Sequence, residues 1–174
     1  MSKKSNSAVS ALAKALMPRP GDDEKKELYS EAGRAIIELS NAENLLAAIF
    51  CIVSNPVPYE TAKEMFASQF SFERKLKLVD FMVTRANHPE EIAAWQAIYK
   101  DLKAHKAVRN LIARQGLRIE TTGATPVVDV LLMPLFYQSR GKPLKVSNVK
   151  DTADKLGEIN VRLWEFVKGL GSPR

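Results

Sequence analysis

The chain has 174 residues, enough for one ordinary domain with a substantial core, and nothing in it calls for a second. With 45% hydrophobic and 26% charged residues it lies outside the composition of disordered chains. The net charge of +6 is concentrated at the start, where Lys3, Lys4, Lys14 and Arg19 stand without an acid in the first twenty residues; the remaining 22 basic against 20 acidic residues give the body little of a nucleic-acid binder's charge.

Residues 1–22 read as a flexible basic tail and 23–172 as a single helical domain. In the tail, Val9, Leu12, Ala13 and Leu16 share one side of a short helical repeat, which Met17-Pro-Arg-Pro-Gly21 stops. From Glu24 to Ser54, Ala32, Ala35, Ile36, Leu39, Ala42, Leu46, Ile49, Phe50 and Val53 recur every three or four residues, the period of an amphipathic helix. Cys51, the only cysteine, excludes an intrachain disulfide; its apolar neighbours predict a buried thiol in a reducing cytosol. No uninterrupted run reaches the roughly 18 apolar residues of a membrane span, so the expectation is a cytoplasmic protein without a membrane partner.

Asn55-Pro-Val-Pro58 ends that helix, since proline lacks a donor and pushes the preceding residue out of the α region. A second helical stretch runs from Tyr59 through Phe66, falters at Ser68-Gln-Phe-Ser71, and resumes with Phe72, Leu76, Val79, Met82 and Val83, with Ser71 as a cap. After Asn87-His-Pro-Glu90 a third long helix carries Ile92, Trp95, Ile98, Tyr99, Leu102, Val108, Leu111 and Ile112, with Gly116 as its stop and Trp95 and Tyr99 on its core face. Leu117 to Ser147 changes character: Val127 to Met133 and Leu144 to Val146 suggest a β-hairpin turning at Ser139-Arg-Gly-Lys142, with Pro134 at an edge or bulge. Val149 to Leu170 restores the helical period and should pack back on the first three helices. The expected fold is therefore mainly all-α, an up-and-down four-helix bundle with a short β-hairpin insert before the last helix.

Glycine-rich phosphate loops, a nucleophile elbow and a His-Glu-x-x-His zinc motif do not occur. One cysteine and two histidines make a poor set of metal ligands, and no cofactor is expected. Asp22-Asp-Glu24 and Glu90-Glu91 fall at helix starts, where the dipole accounts for them.

The segment Ala107-Val-Arg-Asn-Leu-Ile-Ala-Arg114, late in the third long helix, resembles the Arg-Asn-x-Ile-Ala-His signature of HEPN-like domains. Leu39-Ser-Asn-Ala-Glu-Asn-Leu45 in the first helix and Ser71-Phe-Glu-Arg-Lys75 at the resumed second stretch extend the resemblance over residues 28–170. It implies a helical bundle that forms homodimers, often in defence or toxin-antitoxin settings, whose active members are metal-independent endoribonucleases. In those members the arginine stabilises phosphate charge, the next polar residue positions the substrate, and the histidine moves the proton. Arg109 and Asn110 match the first two roles.

Arg114 stands where the histidine is expected. A guanidinium stays protonated up to a pKa above about 12 and cannot act as a general base, so the resemblance implies a catalytically silent module with a possible protein partner. Alternatives are an endoribonuclease using Arg109, Asn110 and a displaced base such as His105, and a non-cleaving RNA binder whose phosphate strip would comprise Lys103, Lys106, Arg109, Arg114 and Arg118. His88 reads as a loop residue. In the purely structural reading, Arg109 or Arg114 pairs with an acid of the first helix such as Glu43.

Overall fold

The structure, a computed structural model, describes residues 21–86, 89–113, 115–122, 127–134 and 143–171. The expected tail up to residue 20, His88, Arg114 and the Ser139–Lys142 turn lie outside them.

Helix α1 spans Asp22–Val53, so it begins one residue before the expected domain boundary and takes in Asp22. It starts at Gly21, whose φ of 90° is open to glycine and costly for side-chain-bearing residues. Asp22, Asp23 and Glu24 fill its first turn, and its buried stripe runs from Leu28 through Leu39 and Leu46 to Val53, as the periodicity predicts.

The second helical stretch is broken where the sequence falters. α2 (Tyr59–Ala67) and α3 (Phe72–Ala86) are separated at Ser68–Ser71, where the Ser71 hydroxyl accepts from the Arg74 backbone N–H at 3.2 Å and so caps α3. α2 folds back on α1, with Phe66 against Phe50 at a ring separation of 5.9 Å.

The third expected helix is also divided, into α4 (Pro89–His105) and the short α5 (Val108–Ala113), with a turn at Lys106–Ala107. Gly116 is no helix stop, because strand β1 (Gln115–Thr122) begins just before it. β1 pairs antiparallel with β2 (Val127–Pro134) from Gln115 opposite Pro134 to Thr122 opposite Val127, and two residues of β3 (Leu144–Lys145) pair with the other edge of β2. The insert is thus a three-stranded sheet in the order β1-β2-β3. Pro134 is the last residue of the central strand, where a missing donor interrupts no ladder.

Helix α6 (Val146–Gly171) closes the chain and makes its most extensive contact with α1. The mainly helical bundle with a β excursion before its last helix is what the structure shows. Asp80 opposite Trp95 and Glu73 opposite Lys106 make α3 and α4 antiparallel; Asp101 opposite Arg162 and His105 near Lys155 make α4 and α6 antiparallel. Arg34 meets Asp154 and Glu38 meets Asn160, so α1 and α6 run in the same direction. The break at Ser68–Ser71 adds the reversal that makes the first and last helices parallel.

The main core gathers Leu46, Phe50, Val79, Trp95, Leu102, Leu156 and Leu163. Trp95 is buried there as expected, stacks on Phe166 at 5.7 Å, and satisfies its indole N–H on Asp80 Oδ1 at 2.9 Å. A second, smaller cluster joins Leu28 and Ala32 of α1 and Val149 of α6 to Val130 and Leu132 of β2. α1 also includes an 18-residue window apolar enough, by length and composition, to cross a membrane, although charged and polar residues interrupt it. In this fold that window is the central helix of the bundle.

Candidate functional site

The three segments that carry the sequence resemblance come together around one cleft of about 360 Å³. α1 supplies Leu39, Ser40 and Glu43; the start of α3 supplies Ser71, Phe72 and Lys75; Lys106 of the α4–α5 turn and Asn110 of α5 close it. Phe70, in the α2–α3 link, stands at its edge almost fully exposed, at 94%. Sequence reasoning did not single out Phe70, whose only signal is a large aromatic in a polar linker.

The cations of the cleft are engaged. Lys75 Nζ lies 2.5 Å from Glu43 Oε1 and sits over the Phe66 ring at 5.2 Å. Glu43, named in the sequence as a partner for Arg109 or Arg114, pairs with this lysine of α3. Lys106 Nζ lies 3.0 Å from Glu73 Oε2; that lysine first, and Lys77 second, hold the Glu73 carboxyl below its ordinary range. Asn110 is exposed and lines the cleft, and its amide can both donate and accept a hydrogen bond. Arg109 lies in α5, its side chain outside the described residues, as is all of Arg114.

His105 is elsewhere. It is half-buried in a separate pocket of about 280 Å³ between α4 and α6, with Asp101, Lys155, Glu158 and Arg162. Burial first, and the positive charge of Lys155 second, depress its pKa, against a smaller opposing effect of Asp101. The Lys106–Ala107 turn separates it from Asn110, so the structure does not bring these two candidates to one cleft.

The described members of the phosphate strip stand on separate elements. Lys103 is exposed with its ammonium 6.0 Å from the Tyr99 ring centre, Lys106 is paired with Glu73, and Arg118 sits on β1, 3.0 Å from Glu120. A larger groove, about 600 Å³, runs between α4 and α6 along Ala94, Ala97, Ile98, Val161 and Phe166. Its walls are mostly apolar, although Glu90, Glu91, Arg162 and Glu165 also line it, and none of the described motif residues does. Among the described residues, no three His, Cys, Asp or Glu side chains gather as a metal site needs.

Comparison of the chain with protein-family models, with curated proteins and with solved structures finds no match.

Proposed function

We propose that the chain is a HEPN-like helical module that works as a homodimer and does not cleave RNA. The observation that carries this reading is the separation of His105 from the cleft at which Ser40, Ser71 and Asn110 meet. Cleavage by the 2′-hydroxyl needs a group that accepts a proton within about 3 Å of it. At the cleft the described candidate is Glu43, and its carboxylate is tied to Lys75. The convergence of the three resembling segments supports the family reading, and through it a role as an interaction module in a defence or toxin-antitoxin setting.

An RNA-binding role is the weaker alternative, because Lys106 and Arg118 already hold carboxylates and lie on separate elements. The deciding experiment incubates the purified chain with single-stranded RNA in excess chelator. Intact RNA is expected. Cleavage that disappears in Arg109→Ala would overturn the reading.

A further inference from the structure

Between Ala35 and Val53, α1 contains no lysine or arginine and only two acids, Glu38 and Glu43. Both are turned sideways: Glu38 accepts from the Asn160 amide of α6, and Glu43 pairs with Lys75 of α3. The side of α1 opposite its core stripe is therefore uncharged. Along it lie Ile37, Asn41, Asn44, Ala48 and Ile52, spaced three or four residues apart so that they fall in one line. Ile37 is 60% exposed, and Asn41, Asn44 and Ile52 are exposed too. Leu45, Ala47 and Cys51 turn partly inward against the core, which leaves Ile37 and Ile52 as the large apolar side chains of this stretch that stay exposed.

Two exposed aromatics flank the line. Phe70 borders it on the α3 side, next to Ser40. Trp164, 51% exposed, lies on the α6 side, one turn beyond Asn160 on the face that meets α1. A lipid surface is a poor occupant, since it would leave the two carboxamides at the centre of the line without partners. A second copy answers both needs. An asparagine amide donates and accepts, so Asn44 satisfies its own copy across a twofold axis, and an uncharged face lets two chains of net charge +6 approach without like charges meeting.

We infer that this face of α1 is the contact between two copies of the chain, with Asn44 beside the twofold axis and Ile37 of each copy against the Ile52 end of the other. The inference rests on the homodimer reading above and gives it a surface. The line from Ile37 to Ile52 is about 22 Å long. A stable dimer buries about 800 Å² per partner, more than one helix face offers, and Phe70 and Trp164 widen the contact on both sides as aromatic anchors.

The test is the mass of the full chain in solution, by light scattering and sedimentation. The unaltered chain is expected to be a dimer. Asn44→Lys and Asn44→Glu each set like charges across the axis and should weaken the dimer by ~100-fold or more, while an equimolar mixture of the two re-forms it. Ala48→Arg should give a monomer with an unchanged circular dichroism spectrum and a melting temperature that no longer depends on chain concentration. Dimers that survive all three substitutions, or a mixture that stays monomeric, would reject this surface and leave the homodimer reading standing. An unaltered chain that is monomeric at tens of micromolar rejects both.

Discussion

The Lys75 ammonium of α3 reaches the Glu43 carboxylate of α1 across the floor of the cleft, joining two residues 32 positions apart at 2.5 Å. The lysine is largely withdrawn from solvent and the carboxylate partly so. Removing one member strands the other in a desolvated place, whereas removing both does not. Lys75→Met is therefore expected to cost about 1–3 kcal/mol, and adding Glu43→Leu should recover part of that loss. Denaturant titration of the two single variants and the double variant measures the coupling.

Glu73 gives a site-specific pH readout. Its pKa is lowered chiefly by Lys106 and secondarily by Lys77, so its contribution to stability is present above the ordinary glutamate value and is lost as pH falls through the lowered one. Carboxyl carbon shifts followed by NMR should place its midpoint below the usual glutamate range. In Lys106→Met the midpoint should move up toward that range, and by more than in Lys77→Met.

For His105 the sign is opposite in origin and alike in effect. A histidine held neutral by burial and by Lys155 binds its proton less readily in the folded chain than in the unfolded one. Stability should therefore decline as pH drops through the ordinary histidine value of about 6.5 and toward the lowered one. Melting curves between pH 7.5 and 5 should be flatter for His105→Gln than for the unaltered chain; equal slopes would show that the histidine titrates normally.

The two apolar clusters should differ in what a truncation costs. Leu163 is fully buried in the main core, and Leu163→Ala is expected to destabilise by about 2–5 kcal/mol. Val130 belongs to the smaller cluster under the sheet, and Val130→Ala, which deletes less, should cost about 1–2 kcal/mol. Amide hydrogen exchange should find the β1–β2 ladder opening before α1 and α6, since few buried contacts tie the sheet to the bundle.

Much of the bundle was legible because α1 and α6 bury continuous stripes, and burial leaves a period in the sequence. Ser71 was legible as a cap for the same local reason. β1 was not, because it is an edge strand whose Leu117 and Ile119 remain exposed: pairing with β2 holds it, and pairing leaves no hydrophobic signature. The Lys106–Ala107 turn was equally silent, lying in a stretch with neither glycine nor proline. At the cleft, the segments around Ser40, Ser71 and Asn110 were each visible, but the partner of Glu43 was not. An ion pair between separate helices depends on how those helices are laid side by side, which no local pattern encodes.

The parallel alignment of α1 and α6 has a mechanical consequence. Gly21 and Gly171 lie at opposite ends of two neighbouring helices that point the same way, with the 26 residues of α6 alone spanning ~39 Å. A load applied between these two points pulls one helix lengthwise past the other. The Arg34–Asp154 and Glu38–Asn160 links and the apolar seam between them then resist together instead of peeling apart one at a time. A molecule held by these two points should yield at a higher force than one gripped at Gly21 and Val146, which lie at the same end of the pair.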